Sequence, residues 1–114
     1  MKLLNSVSLN MFSDPSVTII GRELDKVPDL EKLESFVGHQ QLADILGVKL
    51  NRSQAVFQDG EKAVVAQYIG QRLPEGATKL PKGAKVVFIE VTFMSTKRLM
   101  DRIVLDGGTI WTLP

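Results

Sequence analysis

With 114 residues the chain has the length of one ordinary domain, and its 44% hydrophobic and 24% charged residues exclude a disordered composition. The absence of cysteine excludes disulfides, thiolate metal sites and a cysteine nucleophile. The net charge of +1 is not polarised, with six Lys/Arg against seven Asp/Glu in residues 1–57 and eight against six in 58–114, which speaks against a protein that coats long nucleic acid.

In chain order, residues 2–9 mix apolar and small polar positions and predict a strand with a polar end. A turn is expected at Ser13-Asp14-Pro15-Ser16, followed by a β-branched strand over Val17-Thr18-Ile19-Ile20. Pro28, with Asp29 and Glu31 behind it, suits a helix first turn, and Leu30, Leu33 and Phe36/Val37 give that short helix an apolar stripe. A second helix is predicted from Leu42, Ile45 and Leu46, with Gly38 permitting a tight entry, His39 on the first turn and Gly47 as the stop. Val56-Phe57 and Ala63–Ala66 read as two strands of a hairpin turning at Asp59-Gly60.

Residues 74–84 carry Pro74, Gly76, Pro81 and Gly83 and predict a loop before a strongly apolar strand from Lys85 to Phe93. Residues 102–113 have the pattern of an added hairpin turning at Asp106-Gly107. The expected fold is a single α/β (α+β) domain over residues 1–94. Its mixed sheet has about five strands flanked by short helices, and residues 95–114 form a C-terminal extension. No apolar run approaches the ~18 residues of a membrane span, and the first residues carry no leader pattern, so no membrane partner and a cytoplasmic location (host or bacterial) are expected.

His39 is the sole histidine, and without a His-x-x-x-His spacing or an acidic cluster neither a catalytic metal nor another cofactor is expected. A phosphate-cradling glycine loop and a Gly-x-Ser-x-Gly nucleophile elbow are both absent from the sequence. A lone histidine is most often a cap or a space filler. At a helix start, however, it lies beside unpaired amides that favour anions. In Gln71-Arg72-Leu73-Pro74-Glu75-Gly76, Arg72 offers a planar fork to phosphate and Glu75 can orient or reprotonate a histidine, although the two also suit a surface ion pair. Asn5, Ser8 and Asn10 have the polar groups for a base edge or a ribose, or else belong to a wet edge strand. Arg52, after Asn51, reads as a binding cation or a solvated charge.

Leu4-Asn5-Ser6-Val7-Ser8-Leu9-Asn10-Met11, Val37-Gly38-His39-Gln40, Asn51-Arg52, Gln71-Arg72-Leu73-Pro74-Glu75-Gly76 and Val86-Val87-Phe88-Ile89-Glu90-Val91 occur in one familiar order. In this order and spacing the chain resembles the small viral ring nucleases, anti-CRISPR proteins directed against type III systems, and their bacterial and prophage relatives. The resemblance covers roughly residues 2–93. It implies a homodimer with cyclic tetra-adenylate in its interface and metal-independent cleavage by a ribose 2′-hydroxyl, giving linear di-adenylate ending in a cyclic phosphate. It further implies that His39 is the general acid and that Glu75 assists it. Arg72 is then on phosphate, and Asn5, Ser8, Asn10, Gly38, Asn51 and Arg52 hold and shape the ligand. Residues 77–84 lack the helix usual there in the family, and the chain after Met94 exceeds its usual length. A sequestering module without turnover and a protein-interaction domain anchored by Trp111 are the rival expectations.

Overall fold

The computed structural model of the chain describes residues 1–13, 16–73, 76, 78–97, 99 and 100. Five strands are present, β1 (Lys2–Leu4), β2 (Val17–Glu23), β3 (Glu34–Phe36), β4 (Lys62–Ile69) and β5 (Lys85–Ser95), with one α-helix, α1 (Gln40–Leu46), and 3-10 turns at Leu9–Met11 and Leu30–Lys32. They form one mixed sheet in the order β2-β5-β4-β1-β3. β1 lies parallel to both β3 and β4, while β5 runs antiparallel to β4 and β2. This is a single α+β domain, and none of its helices among the described residues is long and apolar enough to cross a membrane.

β4 explains why the sheet is covered on both sides. Ala63, Val64, Val65 and Ala66 are buried in succession, and side chains alternate between faces along a strand, so two cores are needed. One face joins Ala63 and Val65 to Leu4, Val91 and Phe93 under Phe12, Ala55 and Phe57. The other joins Val64 and Ala66 to Leu3 and Phe88 under Leu42 and Ala43 of α1. In the first core Phe93 stacks on Phe57 at 4.3 Å between ring centroids, with Phe12 at 6.5 Å on the same ring.

α1 and β5 follow the sequence closely. The helix ends at Gly47, whose φ of 69° is the left-handed conformation of a helix stop. Elsewhere tertiary pairing overrides the local pattern. The strand expected over 2–9 stops at Leu4, because the Asn5 carboxamide and the Ser8 hydroxyl bond to main-chain amides and divert the chain from the ladder. The expected helix over 28–37 is absent. A 3-10 turn capped by Asp29 already turns Leu30 and Leu33 toward the core, and residues 34–36 take the open edge of β1 as a strand.

The hairpin of 56–57 with 63–66 does not form either. Asp59-Gly60 does turn, with Gly60 at φ 88° and Glu61 N–H bonded to Gln58 O at 3.0 Å. Both edges of β4 are occupied by β1 and β5, however, so Phe57 bridges Phe12 instead. Among the described residues before β5 the sheet is therefore flanked by one α-helix and not two. In the C-terminal extension Thr96, Lys97, Leu99 and Met100 are helical; the hairpin expected over 102–113, with Trp111, lies outside the described residues.

Candidate functional site

Of the three parallel strands, β1 and β3 end level with Val65, and β4 runs on to Ile69. Asn5 follows β1, Val37-Gly38-His39 follow β3, and Gly70-Gln71-Arg72 follow β4. The carboxyl ends of parallel strands are where open α/β sheets take their ligands, because diverging connections leave a crevice there. A cleft of about 800 Å³ occupies this position, lined by Asn5, His39, Arg72, Gln41, Gln67 and Tyr68 above a floor that includes Leu42, Ala66 and Leu73. Its size is that of a small-molecule site. Arg72 is its one charged lining residue and no carboxylate lines it among the described residues, so its sign suits an anion.

His39 is the N-cap of α1. Its Nδ1 accepts the Leu42 N–H at 3.2 Å, and its carbonyl accepts the Ala43 N–H at 2.9 Å. A ring nitrogen that accepts a hydrogen bond carries no hydrogen, so the neutral ring here bears its hydrogen on Nε2. The side chain is exposed and lines the cleft. The helix is seven residues long and His39 already satisfies the Leu42 amide, so the free-amide pocket expected at this helix start is reduced.

Gly38 is held at both ends of its peptide. Asn5 Oδ1 accepts its N–H at 3.0 Å, and Arg52 Nε donates to its carbonyl at 3.1 Å. A β-carbon at Gly38 would meet nothing nearer than 3.5 Å and its φ is not positive, so the entry to the helix does not require glycine there. What matters there is the backbone, which ties the end of β1 and the 51–53 segment to the residue before His39. Asn51 is a strut: Nδ2 donates to Ser35 O at 3.0 Å and Oδ1 accepts the Ser53 N–H at 2.9 Å. Arg52 is exposed beside Gly38.

Asn5→Ala is expected to leave the partly buried Gly38 amide without an acceptor and to cost roughly 1–3 kcal/mol in a urea unfolding curve. Asn5→Asp, which keeps an acceptor oxygen, is expected to lose less.

Ser8 and Asn10 lie away from the cleft lining. The Ser8 hydroxyl accepts the Asn10 N–H at 3.2 Å and caps the 3-10 turn that carries Met11 onto the opposite core. Glu75 lies outside the described residues. Gln41 and Gln67, not singled out from sequence, line the cleft with Tyr68, and outside the lining the Ser35 hydroxyl donates to Lys49 O at 2.6 Å. Strand alternation on β4 puts Tyr68 on the face of Val64 and Ala66, which is the signal that could have found it. The chain matches no known family and no curated protein.

Proposed function

We propose that the protein is a metal-independent ring nuclease that binds cyclic tetra-adenylate and cuts it to linear di-adenylate ending in a 2′,3′-cyclic phosphate, thereby antagonising type III CRISPR signalling. The observation that carries the reading is the convergence of Asn5, His39 and Arg72, far apart in sequence, on one cleft with a cation and no described carboxylate. A ribose phosphodiester brings its own nucleophile, so the protein must supply in-line geometry, a cation and an acid. The 2′-oxygen bonds to phosphorus and releases its proton to water. The bond from phosphorus to the 5′-oxygen breaks, and that oxygen takes a proton from His39 Nε2. Arg72 balances the charge that builds on the phosphoryl oxygens. Two protomers related by a two-fold axis would present two such clefts to a ring that itself has two-fold symmetry, doubling the cations available to four phosphates.

A second reading, a cytoplasmic module that sequesters the ring without turnover, is favoured by one observation. The acid form of His39 carries hydrogens on both nitrogens, whereas Nδ1 is engaged as an acceptor by Leu42. Catalysis on the first reading therefore requires the ring to leave its cap when the ligand is seated. Incubation with cyclic tetra-adenylate in EDTA, with products resolved by chromatography, separates the two. Linear di-adenylate with a cyclic phosphate is the expected product. Tight binding without conversion assigns the sequestering role, and neither binding nor conversion overturns both readings.

A further inference from the structure

Arg72 follows directly on a turn, and a guanidinium on an unheld turn would sample many positions at an entropic cost to any phosphate contact. The turn is held. The Tyr68 hydroxyl donates to the Gln71 carbonyl, the residue immediately before Arg72, and the Leu73 side chain immediately after it is buried in the cleft floor. The space around the turn is filled as well. A β-carbon on Gly70 would lie 2.8 Å from Ala84 Cβ, 3.0 Å from Tyr68 Oη and 3.2 Å from Ala84 Cα, so only glycine passes between them.

Ala84 is itself fixed. It closes a turn in which its N–H bonds to Pro81 O at 3.1 Å and Gly83 sits at φ 84°. Tyr68 belongs to β4 and its ring packs against the helix-side core, so the hydroxyl is presented from the rigid sheet. Among the described residues no carboxylate forms an ion pair with Arg72, and its backbone is anchored on both sides, by the Gln71 carbonyl and by the buried Leu73 side chain.

We infer that Tyr68 is a positioning residue for anion binding: its hydroxyl, through the Gln71 carbonyl, fixes the backbone from which Arg72 reaches a phosphate group in the cleft. The inference rests on the proposed function only for the identity of the natural ligand, because the clamp and the cation are independent of what the phosphate is attached to. Tyr68→Phe removes the hydroxyl and keeps the ring that packs on the core, so the fold is preserved while the clamp is released.

The test follows the arginine Nε–H signals by NMR during titration with inorganic phosphate, with Arg72 assigned by the signal missing from Arg72→Lys. In the wild-type protein the Arg72 signal is expected to shift on titration. In Tyr68→Phe the apparent affinity is expected to fall at least five-fold, with the thermal midpoint nearly unchanged, and in an Arg72→Ala background Tyr68→Phe is expected to have no further effect on binding. Equal affinity in Tyr68→Phe, an additive loss in the double variant, or an Arg72 signal indifferent to phosphate in the wild type would each overturn the inference. Failure of the wild-type protein to cleave cyclic tetra-adenylate, with the phosphate response intact, would bear on the proposed function alone.

Discussion

Replacing His39 with asparagine is expected to remove cleavage of cyclic tetra-adenylate while leaving both the fold and the binding of the ring in place. Asparagine is among the preferred N-cap residues, and its side-chain oxygen can take the Leu42 N–H that Nδ1 now accepts. It has no proton to give at catalytic strength, so the loss in rate is that of a general acid, ~10²–10⁴-fold. Alanine is the poorer probe at this position. It removes the acid and the cap together, and the lost cap alone costs about 0.5–2 kcal/mol, so a fall in activity would be mixed with a fall in folded population. The measurement is a single-turnover rate beside an unfolding curve for each variant. An asparagine variant that cuts at the wild-type rate would remove His39 from the chemistry.

Phe93→Ala is expected to have the largest effect on stability. The ring is fully buried, stacks on Phe57 with the planes 9° apart, and lies beneath Phe12. Truncating such a ring costs about 3–5 kcal/mol, the sum of lost transfer energy and an uncollapsed cavity. Small domains hold only ~5–15 kcal/mol in total, so roughly a fifth or more of the stability is at stake. Phe93 lies on the sheet face opposite the cleft. The folded fraction should therefore keep its ligand affinity at low temperature while the urea midpoint falls sharply. A midpoint within experimental error of the wild type would show that the aromatic stack contributes little.

The helix around His39 was legible because every signal agreed there: apolar spacing at Leu42, Ile45 and Leu46, a side chain able to cap, and a glycine able to stop. β5 was legible from its length and its β-branched content. The segment 28–37 misleads because Leu30, Leu33 and Phe36 suit a helical stripe and equally suit one 3-10 turn followed by a strand. Only the vacant edge of β1 decides between them, and that is a tertiary fact. The Asp59-Gly60 turn misleads in the same way, since turn chemistry fixes a bend without fixing what the following strand pairs with.

In the site, His39 and Arg72 stood out because a lone histidine and a cation after a strand carry chemistry on their faces. Asn51 stood out equally, yet the structure spends both ends of its amide on backbone. The roles of Tyr68 and Ser35 were not legible because their partners are main-chain carbonyls, which a sequence does not mark.

The placement of β1 bears on how the chain is assembled. Its three residues sit in the interior of the sheet, yet both neighbours come much later, at 34–36 and at 63–65. During synthesis the segment Lys2–Leu4 must therefore wait with Leu3 and Leu4 uncovered until residues 63–65 have emerged. β2 waits longer still for residues 89–95. Pairings of such sequence separation lose loop entropy before they return any stability, which slows folding and leaves apolar strand edges open to wrong partners in the meantime. The strand that aligns the three loops around the cleft is thus made before both of its neighbours and secured only after them.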